Sequence, residues 1–145
     1  MDDALESRSG LPDALRVLVA EYPREAWDSH DNFGPLIRFW LDRHFMFRRL
    51  LKTMQGELEL ALDGDLDPLM LSMRMSRYGS FFVSELHGHH TIEDDHYFPH
   101  LQGLESRLTN GFALLDRDHH ALDGHLDCFA DATQSLLKTI GEGVD

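Results

Sequence analysis

Three histidines, His44, His89 and His119, each fall on the apolar stripe of a different stretch of helical spacing. Such a stripe turns toward a core, and an imidazole buried there is costly unless it is paired. A single one is ordinarily a hydrogen-bonded core residue. Three, one per stripe, call for a partner that satisfies several imidazoles at once, and a metal ion is such a partner. Carboxylates stand at matching intervals. Glu93 follows His89 by four residues and Asp123 follows His119 by four, so each pair projects from one helical face. Each pair offers one nitrogen and up to two oxygen donors, and a carboxylate with two oxygens can also bridge two ions. His90, three residues before Glu93, can reach the same place from the other side. The candidate metal ligands are therefore His44, His89, His90, Glu93, His119 and Asp123.

The other histidines carry less. His96 lies three residues after Glu93 and shares its face; it either ligates or closes the helix end beside Pro99. His120 is rotated off the stripe that holds His119, so His119 is the better ligand of the two. His30 sits in a loop, and His87, His100 and His125 fall off the stripes. A donor set of histidine and carboxylate without thiolate suits iron, manganese or zinc, and disfavours a structural zinc site. Cys128 stands apart and reads as ordinary helix packing. No nucleophile-and-base motif is visible, so no catalytic nucleophile is assigned.

These ligands need long helices to hold them. The first runs from about Pro35 to Leu62, with Ile37, Trp40, Leu41, His44, Phe47, Leu51, Met54 and Leu58 as its stripe. It ends at Asp63–Asp65, where Gly64 can take the left-handed C-cap conformation. The second starts with Asp67 as N-cap and Pro68 in the first turn. Its stripe passes through Leu71, Met75, Tyr78, Phe82, Leu86, His89 and Glu93, and Pro99 is expected to end it. A loop is expected over residues 100–110, with a turn of helix near Leu104–Leu108. The third long helix starts near Gly111 and carries Phe112, Leu115, His119, Leu122, Leu126, Phe129, Leu136 and Ile140. Before them, a short leader helix is expected from about Leu11 to Trp27, interrupted by Pro23. No strand signal appears. The fold class is all-α, and steps alternating three and four imply helices packed nearly parallel, as in a bundle. The chain divides into a leader over 1–34, a helical bundle over 35–140 and a polar tail over 141–145.

Composition limits what such a bundle can do. The chain has 145 residues, enough for one ordinary domain. Its 26 Asp and Glu against 13 Lys and Arg leave a net charge of −13, which argues against nucleic acid as a partner. A single cysteine cannot form an internal disulfide, and the acidic N-terminal stretch lacks the apolar core of a secretory signal. No apolar run approaches the roughly 20 residues of a membrane helix. The expectation is a cytoplasmic protein with no membrane contact.

Three segments together resemble the hemerythrin-like, HHE cation-binding family. HHTIEDDHYFP (His89–Pro99) is similar to its second-helix signature, LDRHFMFRRLL (Leu41–Leu51) to its first-helix histidine segment, and LLDRDHHALDGHL (Leu114–Leu126) to its third. The resemblance covers about Pro35 to Leu137. It implies an up-and-down helical bundle around a non-haem di-iron centre, with His44, His89, Glu93 and His119 as ligands and Glu93 bridging. His90 and Asp123 are weaker transfers, because the family varies at both positions. The family's fourth helix, which supplies a further His and carboxylate, has no counterpart before Asp145. Three explanations compete: a fragment of a longer protein, a partner chain such as a second copy in a homodimer, or closure by the leader with a mononuclear site. The Glu-x-x-His pattern of ferritin-like proteins is met by Glu93–His96 and loosely by Asp116–His119, but His44 stands where that scheme needs a glutamate.

By that resemblance, the chain is expected to hold iron and to bind dioxygen or nitric oxide, or to respond to iron or redox state. Mononuclear iron, manganese or zinc are the other metal readings. Two further functions fit the residues: a di-iron oxidoreductase, for which no substrate-channel or electron-source motif is visible, and a metal-free helical module that binds partner helices.

Overall fold

A computed structural model describes residues 4–143. Among these there is no strand, and four α-helices carry most of the chain: α1 (Pro35–Leu62), α2 (Pro68–Ile92), α3 (Phe98–Leu104) and α4 (Thr109–Glu142). Local signals set their ends. Gly64 takes φ 82°, and the Asp65 N–H reaches back to the Leu60 carbonyl at 2.9 Å, closing α1 in the left-handed manner that glycine allows. Asp67 caps α2: its Oδ1 accepts from the N–H groups of Leu69 (2.9 Å) and Met70 (3.2 Å). Pro68 occupies the first helical position, where no N–H is missed.

By contact, the chain forms two compact units. One comprises residues 39–88 and 125–143, that is, most of α1, most of α2 and the second half of α4. Its core joins Phe47 and Met54 of α1, Leu71, Met75 and Phe82 of α2, and Leu126 of α4. Each contributes roughly 1.5–3 kcal/mol by leaving water. Phe82 meets Phe47 and Phe129 edge-on, with centroids 6.2 and 5.6 Å away. Two ion pairs join α1 to α2, Arg43 to Glu85 and Arg74 to Glu57, each at 2.6 Å.

The other unit comprises residues 4–38 and 89–124. Here the leader is helical only as two 3-10 turns, Asp13–Leu15 and Arg24–Ser29. The expected helix from Leu11 to Trp27, interrupted by Pro23, does not form. Pro12 and Pro23 are extended and head the two turns, and Leu11 and Val19 of the supposed apolar side are exposed. The leader is fixed by Arg8, which pairs with Asp118, by Glu21, which accepts from Arg107 at 2.7 Å, and by the Ala14 carbonyl lying against Gly111.

Pro99 does not end the second helical run either. α2 passes at Glu93 into a π-helical segment, Glu93–Tyr97, and α3 follows at once with Pro99 in its first turn. Pro99 thus sits at the junction of the two helical segments. The expected loop over 100–110 is thus shortened to Glu105 and a 3-10 turn, Ser106–Leu108, before α4 begins. Of the expected tail, Gly141 and Glu142 belong to α4, while Val144 and Asp145 lie outside the described residues. No described helix is long and apolar enough to cross a membrane.

Candidate metal centre

The end of α2, the π segment and the first half of α4 bring four of the candidate ligands together in one unit. His89, His90, Glu93 and His119 are all buried. Their arrangement centres on the Glu93 carboxylate. His89 Nε2 lies 3.4 Å from Oε1, and His119 Nε2 lies 3.6 Å from Oε2. The helical spacing of four places His89 over Glu93, and α4 delivers His119 to the carboxylate's second oxygen.

Each separation fits a cation held by that one pair of donors. Two donors about 2.1 Å from one ion at a tetrahedral angle stand about 3.4 Å apart. His89 and Glu93 belong to a group of side chains able to hold a metal ion, of which His119 is not a member. Two imidazoles and one carboxylate, with no thiolate, form a donor set suited to iron, manganese or zinc.

Neighbouring groups fix the His119 ring. Its Nδ1 lies 2.8 Å from Oδ1 of Asp94, so the ring donates there and Nε2 keeps the lone pair that faces Glu93. His90 stacks on it at 4.0 Å between centroids, and Phe98 at 5.6 Å. Phe98 in turn stacks on Phe112 at 4.7 Å, giving the cluster an apolar wall.

The remaining candidates stand otherwise. His44 was expected on a core-facing stripe but is exposed on α1, in the other unit; its Nδ1 donates to the Trp40 carbonyl at 2.8 Å, which leaves Nε2 as its acceptor nitrogen. Asp123 and His96 are exposed. His120, also exposed, donates from Nδ1 to the Asp116 carbonyl at 2.7 Å, and this bond, with the Asp116 charge, holds its pKa above the ordinary 6.5. Cys128 is exposed on α4.

Two contributors escape a reading of spacings. Asp94 reaches a partner 25 residues on, and only its place beside Glu93 marks it. Asp118, buried next to His119, pairs with Arg8 from 110 residues away, for which no local pattern exists.

An all-α chain with a buried cluster of imidazoles around one carboxylate fits the class of helical metal-binding domains. The chain belongs to the hemerythrin family: the model of the hemerythrin HHE cation binding domain matches residues 35–143. No curated protein and no solved structure matches it.

Proposed function

We propose that this hemerythrin-family chain holds non-haem iron and binds dioxygen or nitric oxide reversibly there. The observation that carries the proposal is the buried Glu93 carboxylate with an imidazole nitrogen at each oxygen. Two histidines and one carboxylate make the donor set that suits ferrous iron with open coordination positions. In this reading His89, Glu93 and His119 hold the ion. His44, His90 and Asp123 would be further ligands on the strength of the family motif. Bound ferrous iron with an open position supplies reversible coordination of a diatomic gas.

The protein's own residues set the conditions. His89 and His119 bind as neutral imidazoles, and Asp94 keeps the His119 lone pair on Nε2. Phe98 and Phe112 restrict water beside the ring. The same reading places the protein in the cytoplasm as an oxygen, nitric oxide or iron sensor.

Anaerobic loading with ferrous iron, elemental analysis and optical spectra before and after exposure to each gas test the proposal. The expected result is stoichiometric iron and a gas-dependent spectrum, both lost in a His89→Ala/His119→Ala chain. Iron uptake no greater in the parent than in that variant would overturn it.

A further inference from the structure

We infer that Asp94 is the positioning residue of this centre: it selects the tautomer of His119 and fixes the ring's rotation, without itself being a ligand. The inference rests on the metal-binding reading and deepens it. A histidine on α4 has two nitrogens, and only one can face Glu93. With Nδ1 donating to Asp94 at 2.8 Å, the proton is held on that side and Nε2 is left as the donor atom toward Glu93, 3.6 Å away. Carboxylates placed behind metal-binding imidazoles act in this way, and they also raise the basicity of the ligating nitrogen.

The backbone explains how two successive acids serve one ring. Glu93 and Asp94 open the π-helical segment, closed by the Phe98 N–H to the Glu93 carbonyl. A turn with bonds five residues apart is wider than an α-turn, so consecutive side chains are separated by a smaller angle. Glu93 can therefore face Nε2 of His119 while its neighbour faces Nδ1 of the same ring. The stacked rings of His90 and Phe98 then hold the imidazole plane, leaving Asp94 to fix rotation within that plane.

Asp94→Asn and Asp94→Ala test this, with two readouts. The first is the protonation pattern of the His119 nitrogens, read by nitrogen-15 NMR on the metal-free protein. The proton is expected on Nδ1 in the parent and shared with or moved to Nε2 in both variants, since an asparagine amide can donate to Nδ1 where a carboxylate cannot. The second is ferrous-ion affinity by anaerobic titration, expected to fall about 10- to 100-fold in the variants. An unchanged His119 tautomer in both variants would overturn the inference, whatever the iron result. So would parent-like iron affinity in both. A parent that shows the Nδ1–H tautomer but takes up no iron would instead remove the metal reading, and with it the role assigned to Asp94 at a metal.

Discussion

The imidazole rings of His90 and His119 lie face to face, 4.0 Å apart at their centroids and 9° from parallel. An imidazole nitrogen directs its lone pair in the plane of the ring. An ion bound to both rings must therefore lie in both planes, and planes so nearly parallel meet far beyond the ~2.1 Å of a metal–nitrogen bond. The two rings cannot serve one ion. If His89, Glu93 and His119 hold the ion as proposed, a His90→Ala chain is expected to retain it, whereas His119→Ala loses it. Elemental analysis after anaerobic iron loading distinguishes them, and a His90→Ala chain as depleted as His119→Ala would refute the separation.

Proton competition gives the centre a definite pH response. His89 and His119 must be neutral to bind, so protons compete with the ion for both imidazoles. Ferrous affinity is therefore expected to fall as the pH is lowered from about 7.5 to about 5.5. Competition against a chelator of known protonation behaviour measures this. An affinity level across that interval would mean that carboxylates alone hold the ion.

Two glycines in long helices make a contrast in packing. A Cβ on Gly111 would stand 2.7 Å from the carbonyl oxygen of Ala14, a backbone atom with little room to retreat. A Cβ on Gly79 would meet the side chains of Phe129 and Thr133 at 3.5 and 3.6 Å, an ordinary contact distance. Gly111→Ala is therefore expected to destabilise by about 1–3 kcal/mol through overpacking. Gly79→Ala is expected to be neutral or stabilising by up to about 1 kcal/mol, as alanine favours helix over glycine. Urea unfolding of both variants settles the order, and a Gly111→Ala chain as stable as the parent would show that the leader does not pack on α4 as described.

The elements legible in the sequence were those with local marks. Pro35, Gly64 and the Asp67–Pro68 pair bound α1 and start α2 through capping and backbone geometry that a few residues decide. The π segment carries no such mark, because its bonds skip five residues and any composition can make them; Pro99 therefore looked like a terminus when it lies in the first turn of α3. In the leader, apolar spacing suggested a helix interrupted at Pro23, but only two short 3-10 turns form, headed by Pro12 and Pro23. The same distinction holds at the centre. His89 with Glu93 follows from helical spacing, while Asp94 with His119 and Asp118 with Arg8 depend on tertiary packing. Spacing also fixes a helical face but not its depth, which is why His44 lies on the expected stripe and is exposed.

The turn before α4 offers a titration that tests the local geometry without metal. Glu105 accepts from the Arg107 guanidinium at 3.0 and 2.9 Å and from its backbone N–H at 3.0 Å. The side-chain bonds first, then the backbone bond, hold its carboxyl at about 2 against an ordinary 4.5. A depressed carboxylate pKa in the folded state means that the folded chain binds fewer protons than the unfolded one. Its stabilising contribution is therefore complete above pH 4.5 and is lost as pH falls from there through about 2. Carbon-13 NMR of the Glu105 carboxyl is expected to show a midpoint near 2 in the parent, returning toward 4.5 in Arg107→Ala. A parent midpoint already near 4.5 would show that this clasp does not form in solution, and that Arg107 is held by Glu21 alone.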